Sequence, residues 1–265
     1  MSDLMPAAFF GHGAPQNALE LNRYTQVWRD FGASVPRPRA ILVVSAHWYI
    51  MATAVTAMPR PRTIHDFFYQ PKDLYDYEYP APGLPELAEE IRDVVKPTWI
   101  GDDVDSWGID HGTWSVLAHA FPDASIPVVQ LSVNAAQGLD YHLDLGAQLA
   151  PLRERGVLIV ASGNIVHNLS SIDMSQPESG FDWAHRFDAD AGERLLTDPT
   201  EIGTLDAHQD WDKAAPTPDH FLPLAYLAGL AAADRDTGRA DTRLLVDGCV
   251  AGSLSMSAYA LGLPA

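Results

Sequence analysis

Residues 41–48, Ile41-Leu42-Val43-Val44-Ser45-Ala46-His47-Trp48, join a continuous apolar run to a histidine at its end. An unbroken run of branched apolar side chains is typical of a strand that is buried on both faces of a sheet. In open α/β sheets the carboxyl ends of the strands form the crevice in which ligands bind. The stretch therefore predicts a covered strand that presents His47 at a functional edge.

The same arrangement occurs twice more along the chain. The apolar run 7–10 is followed by Gly11-His12-Gly13, where the glycines allow a sharp turn and a close approach by a ligand. The run 157–161 is followed by Ser162-Gly163-Asn164 and then His167. Neutral imidazole is the commonest protein ligand for zinc and also suits iron, copper and nickel. The repetition predicts a mononuclear metal site, and with it an enzyme.

Strand and helix patterns alternate along the rest of the chain. Further apolar runs at 54–57, 126–133 and 243–246 predict strands, and apolar residues recur at helical spacing between them. The predicted helices cover residues 24–31, 84–94, 139–155 (ended by Gly156), 181–196 and 221–233. This alternation predicts an α/β sandwich, with a largely parallel central sheet covered by helices, in a single domain spanning residues 1–265.

Composition excludes several classes of partner. The formal net charge is -18, which argues against nucleic acid or an anionic membrane, because both require clustered Lys and Arg. Cys249 is the single cysteine, so neither a disulfide framework nor a Cys-rich zinc site is expected, and a buried inert thiol is the interpretation. The sequence shows no secretory signal and no apolar run near the ~20 residues of a membrane span. A cytoplasmic protein is expected.

Two more histidines follow an aspartate where a helix is predicted to start. Asp219 is placed to cap a helix and would hold His220 in the first turn, a position that fits a ligand and an ordinary polar residue equally. Asp110 would either cap the next helix or tune the imidazole of His111. A pocket histidine outside the metal shell suits proton transfer, because its unperturbed pKa is about 6.5. The other five are less well placed for a site: His65, His119, His142, His185 and His208.

Residues 59–82, called the aromatic segment below, combine five prolines with six Phe and Tyr residues. Such a stretch does not form a regular helix, and long loops in compact domains often serve as pocket lids. A surface loop pinned by its own aromatics is the alternative. Phe67, Phe68 and Tyr69 are candidates for packing against a flat substrate. Three cations, for which plain surface exposure is the alternative, could hold a substrate carboxylate: Arg60, Arg62 and Lys72.

Taken in order, the motifs of the chain resemble the DOPA-4,5-dioxygenase type of class III extradiol ring-cleavage dioxygenases. This type belongs to the superfamily of the protocatechuate 4,5-dioxygenase catalytic subunit. The resemblance runs from about Pro6 to Tyr259 and implies one catalytic domain of that kind. It rests on Gly11-His12-Gly13-Ala14-Pro15, Ser45-Ala46-His47-Trp48, Asp110-His111-Gly112-Thr113-Trp114, Gly163-Asn164-Ile165-Val166-His167-Asn168-Leu169 and Asp219-His220-Phe221-Leu222-Pro223-Leu224.

The resemblance implies a role for each of these histidines. His12, His47 and His220 match three metal ligands, where the usual extradiol enzymes have two histidines and a carboxylate. His167 matches an acid/base residue that can lie close enough to act as a fourth ligand in zinc-loaded members. His111 matches a residue that binds or deprotonates a catechol hydroxyl. One divalent metal per chain is implied, with Fe(II) for activity and Zn(II) in purified protein.

The implied reaction opens the ring of a small aromatic diol, DOPA-like or related, with O2 to give a semialdehyde. Two other interpretations use the same histidines: a zinc-dependent hydrolase with a metal-bound water, and a binding protein without activity. The motifs name neither the catechol nor the native metal, and they leave the oligomeric state open.

Overall fold

A computed structural model describes residues 4–236, 238 and 241–263. The strands are β1 (Ala7–Gly11), β2 (Ala40–Ile50), β3 (Ala54–Thr56), β4 (Arg62–Thr63), β5 (Gly101–Asp103), β6 (Gly108–Ile109), β7 (Val128–Asn134), β8 (Val157–Gly163), β9 (Thr242–Val246), β10 (Cys249–Val250), β11 (Leu254–Ser255) and β12 (Ala258–Leu261). The central feature is an eight-stranded sheet in the order β5-β3-β7-β2-β8-β1-β12-β9, accompanied by two short two-stranded sheets.

Helices lie on both sides of the sheet. The α-helices are α1 (Arg23–Ser34), α2 (Lys72–Tyr75), α3 (Pro85–Val94), α4 (His111–Ala120), α5 (Leu139–Leu149), α6 (Pro151–Glu154), α7 (Asp182–Thr197), α8 (Trp211–Ala214) and α9 (Leu222–Asp236). Four 3₁₀ helices within the described residues complete the helical elements: Pro15–Ala18, Leu169–Ser171, Pro199–Ala207 and Pro218–His220. Among the described residues, none of the helices is both long and apolar enough to cross a membrane.

The centre of the sheet is parallel, as the apolar runs predict. β2 pairs in parallel with β7 and β8, β8 pairs in parallel with β1, and β3 pairs in parallel with β5. Antiparallel pairs join β3 to β7, β1 to β12 and β12 to β9. The predicted α/β sandwich with a largely parallel sheet is confirmed.

The apolar run of β2 is continuous because each of its faces meets a different core. Leu42 and Val44 belong to the core on one face, which also contains side chains of α3, α5, α7 and α9. Ile41 and Val43 belong to the core on the other face, with side chains of α1 and α4. Successive side chains of a strand point to opposite faces, so a strand between two cores requires apolar residues at both.

Two of the predicted element boundaries are wrong. The helix expected over residues 139–155 is interrupted, since α5 ends at Leu149 and the short α6 begins at Pro151. Proline has no N–H to continue the ladder, and its ring clashes with the carbonyl four residues earlier. The strand expected to close at His47 instead runs on to Ile50, and its register against β7 shifts between Val44 and Tyr49.

Parallel pairing of β1, β8 and β2 places three histidine-bearing segments at one edge of the sheet. Gly11 at the end of β1 pairs with Gly163 at the end of β8, and Ser45 of β2 pairs with Ser162. The carboxyl ends of β1 and β8 therefore coincide, and they lie close to the level of Ser45 within β2. The segments that follow them carry the candidate functional residues.

Candidate metal centre

Three imidazole rings from distant parts of the chain meet at this edge. The Nε2 atoms of His12 and His47 lie 3.0 Å apart. One ring nitrogen from each of His12, His47 and His220 lies within 4.8 Å of the other two. His12 is fully buried and His220 nearly so. The three residues predicted as metal ligands are thus together in the fold.

The Nε2 atoms of His12 and His47 face each other, and the Nδ1 atom of each of the three rings has a polar partner. The Nδ1 atom of His12 lies 3.0 Å from the Ser162 hydroxyl, that of His47 lies 2.9 Å from the Asp66 carboxylate, and that of His220 contacts Asp219. Metal-binding histidines usually engage their second nitrogen in this way, which fixes the tautomer and the orientation of the ring. The chemistry of the donor set therefore fits a divalent metal ion held by three imidazoles.

The tautomer of His12 follows from its neighbours. The Ser162 hydroxyl donates its hydrogen to the carbonyl of Gly112, at 2.5 Å. It is therefore an acceptor toward His12, so the Nδ1 atom of His12 carries the hydrogen. The Nε2 atom then has a free lone pair, which a metal ligand requires.

Asp66 was missed by the sequence reasoning, although it contacts two of the candidate residues. Its Oδ2 atom lies 2.9 Å from His47 Nδ1, and its Oδ1 atom lies 3.0 Å from His111 Nδ1. The backbone N–H of His111 also donates to Oδ1 at 3.0 Å. Asp66 belongs to the aromatic segment, far from both histidines in sequence, and its only local signal is a carboxylate beside His65 and Phe67.

Two capping predictions have different outcomes. Asp110 is the N-cap of α4 and accepts from the Thr113 N–H at 3.0 Å, so the capping alternative is confirmed. Its carboxylate is further bound by Ser45 and Gln130, both at 2.7 Å. The cap expected from Asp219 is wrong, because its carboxylate contacts the ring of His220. His220 ends a 3₁₀ turn that starts without a side-chain cap and leads into α9.

His167 lies against the cluster in a different manner. Its ring stacks on that of His220, with centroids 3.5 Å apart and planes 4° from parallel. Its backbone N–H donates to Ala214 O at 2.7 Å, and it pairs with Leu254 across an isolated bridge. Among the described residues His167 is not in the group of three whose nitrogens lie within 4.8 Å of each other.

Burial keeps most of these rings neutral. It lowers the pKa of His12 well below its ordinary value, and it lowers the pKa of His220 to about 4 and of His167 to about 3, with neighbouring imidazoles contributing. Burial also lowers the pKa of His111. For His47, burial acts in the same direction but the Asp66 carboxylate outweighs it and raises the pKa. A mostly neutral cluster is the form that binds a metal.

Two carboxylates next to the cluster stay ionised. Burial opposes the charge of Asp66, but the adjacent His111 and His47 hold its pKa well below the usual range. Burial likewise opposes the charge of Asp219, whose pKa is held low by His220. Each would bring negative charge close to an imidazole that faces a cation.

Close packing at the cluster requires glycine at position 112. A Cβ atom there would lie 2.7 Å from both Ser45 Oγ and His47 Cδ2, and 3.2 Å from His12 Cε1. Gly112 is in the first turn of α4, beside His111. The helix start can therefore approach two of the rings only without a side chain.

Part of the aromatic segment packs against the site. Phe67 is buried, and its ring centroid lies 5.5 Å from that of His111, whereas Phe68 and Tyr69 are exposed. His65 Nε2 lies 2.8 Å from the Tyr77 carbonyl within the segment. The three cations considered for a substrate carboxylate are exposed: Arg60, Arg62 and Lys72.

The remaining histidines do not belong to the cluster. His119 and His142 are buried within helices, His185 is exposed and His208 is half-buried. Cys249 is a buried free thiol whose pKa is raised to about 12 by burial, which confirms the expectation of an inert residue.

The fold and this cluster together define an α/β protein with a site able to hold one metal ion. A family model described as the catalytic LigB subunit of aromatic ring-opening dioxygenase matches residues 12–246. The chain belongs to this family, and it is an extradiol ring-opening dioxygenase. The resemblance found in the sequence motifs is therefore confirmed.

Individual relatives agree with the family assignment. A 4,5-DOPA dioxygenase extradiol of Escherichia coli K12 is 44% identical, over 98% of this chain and 96% of the relative. One of Beta vulgaris is 36% identical, over 84% and 85%. The crystal structure of an uncharacterized protein from Escherichia coli K12 superposes with a TM-score of 0.83 at 38% identity, covering 97% of this chain and 99% of that one.

Proposed function

We propose that this extradiol dioxygenase is metal-dependent and opens the ring of a DOPA-like catechol with O2, giving a semialdehyde. The observation that carries the proposal is the convergence of one ring nitrogen from each of three histidines, each of whose Nδ1 atoms contacts a polar partner. The family model and the DOPA-cleaving names of the relatives support the substrate class. We also propose one catalytic domain over residues 1–265 and a cytoplasmic location, with neither nucleic acid nor membrane as partner.

His12, His47 and His220 would hold the metal. Fe(II), when bound there, would supply the sites for the diol and O2 and the electron transfer between them. Zn(II) is expected in protein purified without added iron, because the imidazoles suit both metals. The site departs from the usual two-histidine, one-carboxylate set, yet Asp66 and Asp219 place their charges directly behind two of the ligands.

His111 would accept a proton from a catechol hydroxyl. A hydrogen bond from its Nδ1–H to Asp66 leaves Nε2 as the free acceptor, and burial keeps the ring neutral at rest. The negative Asp66 would stabilise the imidazolium that forms. Phe67, beside His111, would cover the substrate ring on that side.

His167 would be the second proton carrier and, with zinc bound, a fourth ligand. Stacking on His220 holds its ring next to the cluster, and burial keeps it neutral. A neutral imidazole can take up a proton during the reaction and return it to the opened ring.

The test is reconstitution of metal-free protein under anaerobic conditions with Fe(II) or Zn(II). A panel of catechols is then added with O2, and oxygen uptake and a yellow product are followed. The iron protein is expected to consume O2 with at least one catechol, and the zinc protein to remain inactive. No turnover with any catechol, together with ester or amide hydrolysis by the zinc protein, would replace the dioxygenase proposal with the hydrolase.

Replacing His167 tests its role separately. His167→Phe is expected to abolish turnover while most of the metal stays bound, because three other imidazoles remain. Metal content is measured by atomic absorption and turnover by oxygen uptake. His185→Phe, at an exposed position, is the control and should retain both. Complete loss of metal from the His167 variant would instead make this residue a required ligand.

A further inference from the structure

A cavity of about 820 Å³, a volume typical of small-molecule sites, adjoins the backbone segments next to His12 and His167, although none of the histidines is among its lining residues. Three of its lining residues lie against these segments. Ala14 is two positions after His12, and Leu254 pairs with the backbone of His167. Met256 packs so closely on the turn after His12 that a Cβ at Gly13 would lie 2.6 Å from its sulfur.

The walls of the cavity differ in chemistry. One wall is mainly apolar, apart from Glu178, and comes from the loop before α7 and from the β10–β11 hairpin with the residue after it: Ile172, Met174, Pro177, Val250, Ala251, Leu254 and Met256. The other wall is polar and comes from the segment that leads into α1: Gln16, Asn17, Glu20, Asn22 and Arg23. A ligand with an apolar body and a charged end would match both walls.

The polar wall is tied to the metal centre by hydrogen bonds. Asn17 donates from Nδ2 to the His12 carbonyl at 2.9 Å, and Asn22 donates to Asn17 Oδ1 at 2.9 Å. Asn22 is also the N-cap of α1 and accepts from the N–H groups of its first turn. The backbone of Arg23, the first residue of α1, is therefore held at a defined place relative to His12, while its side chain is exposed.

Arg23 is the only basic residue among the described residues that line the cavity. Its Nη2 atom donates to the Tyr24 hydroxyl at 2.6 Å, and its guanidinium lies 4.4 Å from the centre of that ring. Within residues 4–236 and 241–263 it forms no ion pair with a carboxylate. A guanidinium has five N–H donors, so donors remain for a bidentate contact with a carboxylate ligand.

Two carboxylates, Glu20 and Glu178, line the same cavity. One cation and two anions match the carboxylate and the ammonium of an α-amino acid. A ring substituent that lies opposite the diol would extend from the histidines into this adjoining space. We infer that the cavity binds the α-amino-acid end of the catechol, with Arg23 holding its carboxylate and the glutamates attracting its ammonium. This inference rests on the proposed function, which places the diol at the histidines.

The test measures binding without turnover. Zinc-loaded protein is titrated by calorimetry under anaerobic conditions with L-DOPA, with dopamine, which lacks the carboxylate, with 3-(3,4-dihydroxyphenyl)propionate, which lacks the ammonium, and with 4-methylcatechol, which lacks both. Arg23→Ala is expected to weaken binding of the two carboxylates about tenfold, the size of one charge-assisted contact. The dissociation constants of the other two ligands should change less than about twofold.

Matched variants separate charge from structure. Arg29→Ala removes an exposed arginine of the same helix that does not line the cavity, and it should leave all four constants unchanged. Arg23→Lys keeps the positive charge but loses the planar guanidinium with its paired N–H donors. It should therefore recover part of the affinity for the two ligands that carry a carboxylate. Glu178→Gln should weaken the binding of L-DOPA and dopamine but not the binding of the propionate.

The outcomes against the inference are distinct from those against the proposed function. An equal loss for all four ligands in Arg23→Ala, or no loss for the carboxylates, would overturn the inference while leaving the dioxygenase proposal intact. Failure of the unchanged zinc protein to bind any of the four ligands would contradict the placement of the diol at the histidines and the inference with it.

Discussion

At the scale of single residues, Asp66 links a candidate metal ligand to a candidate substrate base. One carboxylate oxygen contacts His47 and the other contacts His111. A single carboxylate thus orients both rings, and its charge lies between the metal side and the substrate side of the site. Because Asp66 lies in the aromatic segment, the position of that segment and the geometry of the cluster depend on each other.

Asp66→Asn is expected to lower metal affinity about 10- to 100-fold, the usual effect of losing a partner of a metal-bound histidine. The amide presents N–H donors toward rings that need an acceptor. Zinc affinity is measured by competition with a chromophoric chelator. Asp73→Asn, an exposed aspartate in the same segment, is the matched control and should bind zinc normally. An unchanged affinity in Asp66→Asn would show that Asp66 does not orient His47.

Gly112 offers a steric test of the same cluster. Gly112→Ala is expected to weaken zinc binding and to destabilise the fold by about 1–3 kcal/mol, because the added methyl overlaps Ser45 and His47. Gly138→Ala is the control, since a Cβ at that helix start has no atom within 4 Å; the cost should stay below about 1 kcal/mol. Urea unfolding and zinc titration measure both effects. Equal behaviour of the two variants would contradict the packing described here.

The sequence predicts the individual histidines better than their partners. His12 and His167 follow predicted strands, so the shared edge of a parallel sheet brings them together. Asp66 has no such signal, because a loop residue finds its partners only when the tertiary structure forms. Asp219 was expected to cap a helix, but the nearby ring of His220 competes for the same carboxylate.

At the scale of elements, α7 carries a buried acid that is separate from the metal centre. Asp188 contacts the hydroxyl groups of Ser255 and Ser257. Burial raises its pKa to about 6, against the opposing effect of those hydroxyls. The folded protein therefore retains a proton on Asp188 at pH values where the unfolded chain has lost it.

This shift makes stability fall as pH rises from about 4 to about 6, because the folded state binds more protons there. Above pH 6 the charged Asp188 lowers the free energy of unfolding by about 3 kcal/mol relative to its value at pH 4. Asp188→Asn is therefore expected to stabilise the metal-free protein at pH 8 and to have little effect at pH 4, in urea unfolding. Asp182→Asn, exposed on the same helix, is the control. Destabilisation by Asp188→Asn at pH 8 would contradict the conclusion that the ionised Asp188 carboxylate destabilises the folded protein.

Helices and strands were predicted correctly where a single apolar pattern dominated the local sequence. The central strands were found because burial between two cores demands continuous apolar residues, as in β2. The helix over 139–155 was overextended, since its apolar spacing continues through Pro151, where the backbone breaks. β12 was not predicted: Ala258-Tyr259-Ala260-Leu261 is short and lacks β-branched residues.

At the scale of the whole molecule, the sheet brings together groups that lie more than 200 residues apart in sequence, from His12 to His220. No local segment contains the site. We propose that this assembly would hold one metal ion and that both atoms of O2 are incorporated into the opened catechol, with the surrounding carboxylates and imidazoles setting the geometry of the site and moving protons.

Labelled oxygen tests whether both atoms of O2 are incorporated into the product. Iron-reconstituted protein is mixed with 3-(3,4-dihydroxyphenyl)propionate, which lacks an amine that could condense with the aldehyde, under ¹⁸O₂. The product is trapped at once by borohydride reduction, and its mass is determined by mass spectrometry. We expect a ring-opened product that carries both labelled atoms. A product with one labelled atom, or one that takes its oxygen only from water, would contradict it.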